Sequence, residues 1–199
     1  MRTLAGVGVL APLTFTTIDA AAQEAEGPRH RGFFMRMALG IGGADAGNDG
    51  PPEIEFGGAA GLGSFDIGGS LAERLALHVR FSAHTMVDPT VSVNGEALGE
   101  ADDTTLTFSS LGLGLTYYFP SNLYLTGVLG LCGATAEVAG EEIESDTGIA
   151  IGADLGYEWW AGGDWGLGVA GRLEFDSIPD DPDRLVAVAL GVLFSATYH

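Results

Sequence analysis

Few side chains in this sequence could do chemistry, and most of them stand inside segments that otherwise alternate apolar with small residues. Arg36, Arg80 and Arg172 are the basic ones; Asp66, Asp154, Glu158 and Glu174 are the acidic ones. If each segment is a strand, the alternation puts all seven on one face. Burying such charges singly is costly, so they are expected to form a hydrogen-bonded ion network. A structural plug is the preferred reading of that network, and a selectivity ring or proton path is the alternative. His78 and His84 share the face of Arg80 and are expected to join it. No third ligand is spaced to make either of them part of a metal site. Cys132 is the single cysteine, which excludes an intrachain disulfide, a thiolate metal cluster and a redox pair. Gly40, Gly42 and Gly43 open no helix and so form no nucleotide loop. The expectation is a chain with no catalytic residues, no metal and no cofactor.

The bulk composition fits one ordered domain. There are 199 residues, 46% of them hydrophobic, with 27 acidic side chains against 8 basic ones and a formal charge of −19. That balance leaves no basic surface for phosphates, so nucleic acid is not an expected partner. An acidic disordered tail would carry far less apolar side chain. At the start, Met1-Arg2-Thr3, the mostly apolar run from Leu4 to Phe15, and Ala20-Ala21-Ala22 read as a signal peptide over 1–22. The apolar run is too short for a spanning helix, which needs roughly 20 residues. A short periplasmic segment over 23–31 would follow, and then a single domain over 32–199.

Within that domain the period is two, the signature of strands. Eight candidates run from Phe33 to Ala44, Phe56 to Ala72, Leu75 to Val87, Thr105 to Phe119, Leu123 to Glu137, Gly148 to Trp160, Trp165 to Asp176 and Leu185 to Tyr198. The second has the weakest pattern, because Leu62 is out of phase with Phe65 and Ile67; a bulge there would shift the phase. Connections alternate between long, after the odd strands, and short, at Glu73-Arg74, Pro120-Ser121-Asn122 and Ala161 to Asp164. Long loops at one end and short turns at the other are the habit of outer-membrane barrels with an even number of antiparallel strands.

The faces are distributed as a membrane barrel requires. Leu75, Leu77, Val79 and Phe81 alternate with His78, Arg80, Ser82 and His84. In a soluble sandwich the polar face would be the wet exterior and would carry lysines, but every basic residue here is arginine. Glycines and a few charges suit the interior of a narrow barrel instead. Aromatics cluster at the short-turn ends: Phe33, Phe34, Tyr117, Tyr118, Phe119, Tyr124, Tyr157, Trp159, Trp160, Trp165 and Tyr198. They are expected to form a periplasmic-side girdle at the headgroup boundary.

These features resemble the small outer-membrane β-barrel domain family, the OmpA, OmpX and OmpW type barrels, over residues 32–199. The resemblance is carried by the segment from Gly112 to Pro120, by Leu155-Gly156-Tyr157-Glu158-Trp159-Trp160, and by the last strand ending in Phe194-Ser195-Ala196-Thr197-Tyr198. It implies an all-β, eight-stranded antiparallel up-and-down transmembrane barrel in the bacterial outer membrane. It also implies outer-membrane lipid and the barrel-assembly machinery as partners. Family members usually end on an aromatic residue, whereas His199 follows Tyr198 here. The His-x-Ser-Asn arrangement of the lipid A deacylase type of barrel is missing, since His84 is followed by Thr85-Met86-Val87. The omptin-like protease type would need ten strands.

The long connections hold most of the acid. Asp45, Asp49, Glu53 and Glu55 lie around the first, and Asp88, Glu96, Glu100, Asp102 and Asp103 around the second. Glu137, Glu141, Glu142, Glu144 and Asp146 surround the third, and Asp176, Asp180, Asp181 and Asp183 the fourth. They are expected to be solvated, with divalent cations as a further partner able to bridge them to lipid phosphates. The expected function is a non-enzymatic closed barrel with a structural or surface-interaction role. The alternative is a narrow channel or transporter for small or hydrophobic solutes.

Overall fold

The computed structural model describes residues 32–180 and 182–199; the expected signal peptide over 1–22, the segment 23–31 and Asp181 lie outside them. In chain order the strands are β1 (Phe33–Asn48), β2 (Ile54–Ala72), β3 (Leu75–Val87), β4 (Thr90–Val93), β5 (Glu96–Glu100), β6 (Thr104–Tyr118), β7 (Leu123–Val138), β8 (Glu141–Glu144), β9 (Gly148–Gly162), β10 (Trp165–Asp180) and β11 (Asp183–Tyr198). Eight long ones, β1, β2, β3, β6, β7, β9, β10 and β11, pair antiparallel with their sequence neighbours. Because β1 pairs with β2 and also with β11, through Arg36↔Asp66 and Arg36↔Thr197, the sheet closes on itself. Closure satisfies the backbone without leaving an edge, which is what a spanning structure needs in lipid.

The alternation decides which way each side chain points. From β1 to β10 the inward residues of the staves are even-numbered, as in Ala76, His78, Arg80, Ser82, His84 and Met86 of β3; in β11 they are odd, as in Ala187, Ala189, Leu193, Ser195 and Thr197. The large apolar side chains point outward: Leu39 is 73% exposed and Ile41 78%, while their neighbour Ala38 is 5% exposed. Along β1 the outward apolar run from Phe33 to Ile41 gives way to Asp45. Nine or so residues are enough to cross the hydrocarbon layer when tilted. A closed barrel with its charges inside and an apolar belt outside is a transmembrane β-barrel.

The staves continue beyond the belt on the long-loop side, and there the loops carry more structure than expected. The second connection is a hairpin, β4 with β5, turning at Asn94-Gly95, whose φ angles of 51° and 79° suit the two-residue turn such a hairpin needs. It adds to β2 through Ile54↔Val93 and Phe56↔Val91. The third connection folds β8 back onto β7. Leu62 also departs from expectation. Register between β2 and β3 runs unbroken from Ala60↔Met86 to Ser70↔Ala76, so the phase never shifts at Leu62. Leu62 simply points inward, 3% exposed, into an apolar interior layer with Ala38, Phe108 and Leu193. The irregularity in β2 lies at Ser70/Ala72 instead.

Candidate functional site

The seven charges expected on one face all point into the barrel, each at most 6% exposed. At the short-turn end Arg36 is the hub. Its guanidinium donates to Thr197 Oγ1 at 3.1 Å and to the Tyr118 hydroxyl, and reaches Glu158 Oε2 at 3.5 Å. It also lies over the Tyr124 ring, 4.1 Å from the centroid, a favourable placement for a desolvated cation. Glu158 in turn accepts from Thr197 Oγ1 at 2.6 Å and pairs with His199 Nε2 at 2.7 Å. His199 sits among the rings of Phe34, Tyr118 and Trp160, so the residue that breaks the family's terminal pattern helps to fill this end.

Halfway up, the lumen is bridged. Arg80 forms a two-pronged pair with Asp66, Nε to Oδ1 and Nη2 to Oδ2, both at 2.7 Å. Its third nitrogen reaches across to Asp154 Oδ2 at 2.7 Å. Asp154 is clamped from the other side by Arg172, at 2.7 and 3.0 Å, and Arg172 also donates to Ser64 Oγ at 2.9 Å. The strand pairing explains the order. Asp66 sits directly opposite Arg80, and Asp154 directly opposite Arg172, so these two pairs form between neighbouring strands; Asp66 is also opposite Arg36, whose guanidinium instead reaches Glu158 on β9. The Arg80–Asp154 contact crosses the lumen between strands that are not paired, as do those of Arg36 with Glu158 and Arg172 with Ser64.

His78 stands beside this bridge. Its Nε2 meets Thr116 Oγ1 at 3.0 Å, Thr116 meets Thr126 at 2.8 Å, and its Nδ1 lies 3.9 Å from Asp66. Opposite the ring is Gly114; a Cβ there would fall within 3 Å of the imidazole, so the glycine makes room for it. Gly156 does the same for the Tyr124 ring.

Toward the long-loop end Glu174 accepts from Ser82 Oγ at 2.8 Å and Ser110 Oγ at 3.1 Å. Beside it are His84, stacked on Phe108 with centroids 5.0 Å apart, and Asp176. Asp176 departs from its expected place among the outer-loop acids, because it is 1% exposed and points into the barrel. The reason is parity. β10 continues to Asp180, so Asp176 keeps the inward phase of Arg172 and Glu174. Above this layer Phe56, Leu106, Phe108, Ile178 and Leu185 line an apolar cavity of about 430 Å³ at the outer mouth.

Of the aromatics assigned to the girdle, Phe33, Tyr117, Phe119, Tyr157, Trp159 and Trp165 are outward and between 40% and 50% exposed, Tyr198 is half-buried beside Trp165, and Trp160, which has the inward parity of β9, is 37% exposed at the barrel's end with its ring against His199. Tyr124 is not among them: it is buried in the lumen, as are Phe34 and Tyr118. In Tyr117-Tyr118 and Phe33-Phe34 adjacent rings must take opposite faces, and the inward ring of each packs around Arg36. The hydroxyls Ser82, Ser110, Thr116, Thr126 and Thr197 were not singled out from the sequence, although they share the inward parity of the charges they serve.

No protein-family model matches the chain, and neither does any curated protein. Among solved structures the chain is similar to Ail, the attachment invasion locus protein of Yersinia pestis, at 14% identity, covering 83% of this chain and 99% of that one with a TM-score of 0.48. It is similar also to Neisserial surface protein A, at 18% identity over 81% and 95% with a TM-score of 0.47. A third is the outer membrane protein OprG from Pseudomonas aeruginosa, at 13% identity over 85% and 98% with a TM-score of 0.47. The fold assignment itself rests on the strand pairing and the outward apolar belt described above.

Proposed function

We propose that this chain is a non-enzymatic barrel of the bacterial outer membrane, closed to ions, whose task lies at its surface. The observation that supports closure most directly is the lumen-crossing contact of Arg80 with Asp154, continued by Asp66 on one side and Arg172 on the other. An eight-stranded interior is only wide enough to be filled by side chains, and here paired charges fill it. The partners that follow from the belt and the strand pattern are outer-membrane lipid and the barrel-assembly machinery. Outside, exposed acids stand on extended staves and on the β4–β5 and β8 hairpins, Glu96, Glu100, Glu141, Glu142 and Glu144 among them. These give the outer face a fixed negative surface that repels nucleic acid and that divalent cations can tie to lipid phosphates. Liposomes carrying the refolded chain and a trapped small ionic dye test closure. Retention equal to that of empty liposomes is expected, and release of the dye would overturn the reading.

A second reading has one observation in its favour. The 430 Å³ mouth cavity is walled mainly by apolar side chains, which suits a small hydrophobic solute. Such a solute would enter from outside and meet the charged bridge below. Quenching of Trp fluorescence is a poor reporter here, because Trp159, Trp160 and Trp165 lie at the other end. Equilibrium partitioning of a radiolabelled aromatic hydrocarbon into wild type and a Leu106→Trp variant separates the two cases. Uptake lost on filling the cavity supports solute binding.

A further inference from the structure

The lower interior is balanced in charge and the upper interior is not. Arg36, Arg80 and Arg172 answer Glu158, Asp66 and Asp154. Above them Glu174 and Asp176 enter side by side from β10, and among the described residues no arginine forms an ion pair with either. Two neighbouring carboxylates in a dry interior demand a positive partner or a proton.

We propose that His84, Glu174 and Asp176 bind one divalent cation of the zinc class inside the barrel. Their ligating atoms all lie within 4.8 Å of one another, and His84 Nδ1 stands 3.8 Å from Asp176 Oδ2. His84 and Asp176 are each 1% exposed, yet both ring nitrogens and both carboxylate oxygens lack a hydrogen-bond partner. Buried polar atoms are ordinarily satisfied, and four in one spot point to a missing ligand. Cys132, a buried thiol near Asp176, lies outside the group of three and would have to move further than they do to supply a fourth ligand. A tetrahedral zinc site holds its ligand atoms about 3.4 Å apart, so the three side chains need to draw together by no more than about 1.4 Å, which rotamer adjustment supplies.

The surroundings already orient the ligands. Phe108 stacks flat on the His84 ring, with 10° between planes, and Ser82 and Ser110 donate to Glu174 Oε1. Such supporting contacts are what hold ligands ready for a metal. An imidazole with two carboxylates and a nearby thiol suits Zn²⁺ or Co²⁺, whereas Ca²⁺ and Mg²⁺ prefer six or more oxygens. The cation would also neutralise the two carboxylates. The inference is independent of whether the barrel conducts.

The test refolds the full chain in detergent with Zn²⁺, removes loosely held metal with a weak chelator, and measures zinc per folded barrel. Wild type should keep about one equivalent, and Co²⁺ in its place should give the strong visible absorption of a low-coordinate site. Asp176→Asn should weaken binding by at least about tenfold while the barrel still shows heat-modifiable migration. Glu141→Gln with Glu142→Gln should change nothing. A wild type that retains no zinc, or one whose affinity survives Asp176→Asn and falls with the loop variants, overturns the proposal; the first outcome means a shared proton, the second an adventitious site on the acidic loops. If His84→Ala fails to fold, the shape-preserving Asp176→Asn still decides. Loss of a sulfur-to-cobalt charge-transfer band in Cys132→Ser would identify the fourth ligand, and absence of that band in wild type limits the site to three protein ligands.

Discussion

Removing Arg80 is the perturbation with the most calculable consequence. Its guanidinium uses all three nitrogens on two aspartates, each contact at 2.7 Å, and it is 2% exposed. The two aspartates do not suffer equally when it goes. Asp154 keeps its two contacts with Arg172, but Asp66 loses its paired cation and retains only His78 Nδ1 at 3.9 Å. Leaving one buried carboxylate uncompensated costs about 3 to 5 kcal/mol. Arg80→Ala is therefore expected to destabilise the barrel by that amount. Arg172→Ala should cost less, because Arg80 still holds Asp154. Pairing Arg80→Leu with Asp66→Asn should recover much of the loss, since both members of the pair are then neutral. Arg184→Ala is the control: its guanidinium donates to Ser177 on the exposed outer end, and the change should stay within about 0.5 kcal/mol. Urea titration in lipid vesicles, followed by the fluorescence of the three tryptophans, measures all four. A cost for Arg80→Ala no larger than that of Arg184→Ala, or a double variant as unstable as the sum of its singles, would refute the reasoning.

The belt makes its own forecast: Leu129 is 63% exposed in the middle of β7, so Leu129→Arg should cost about 2 to 4 kcal/mol in lipid vesicles, and no loss there would mean that this face does not meet lipid. Gly156→Ala would place a methyl on the Tyr124 ring. It is expected to cost about 1 to 3 kcal/mol by overpacking, an effect that Tyr124→Leu should relieve in the same titration. A glutamate-specific protease added to intact cells is expected to cut near Glu100 or Glu142 and to spare the turn from Trp160 to Trp165; the reverse pattern would invert the orientation.

The architecture was legible because a stave buried on one side and lipid-facing on the other writes its phase into every second residue. All eight staves start within a residue or two of their expected positions at the short-turn end, where Gly163, Asn122 and the aromatic girdle mark them. The outer ends were less legible. Beyond the belt the outward face of β1 and β10 turns polar, at Asp45 and Ser177, while Ala46, Asp176 and Ile178 stay buried inside, so the apolar period fades although pairing continues to Asn48 and Asp180. That fading is why Asp176 read as a loop acid. Asn94-Gly95 flanked by Val91 and Val93 is a strong hairpin signal that a search for membrane-crossing strands passes over. The membership of the ion network follows from parity alone, but its pairing does not. Arg80 reaches Asp154 only because the barrel is narrow and sheared, a property of closure that no single strand encodes. The grouping of His84 with Asp176 is hidden in the sequence for the same reason, since β3 and β10 are not neighbours.

Single-channel recording in a planar bilayer tests the central claim most directly, because closure of the lumen is a statement about ions crossing it. With wild-type protein refolded and inserted, current indistinguishable from the bare bilayer is expected. Arg80→Ala, provided that it still folds, should open brief, cation-preferring events as Asp66 and Asp154 lose the arginine between them. Steady wild-type conductance whose ion preference changes in Arg80→Ala without loss of stability would contradict the closed barrel and make the arginine a selectivity element instead.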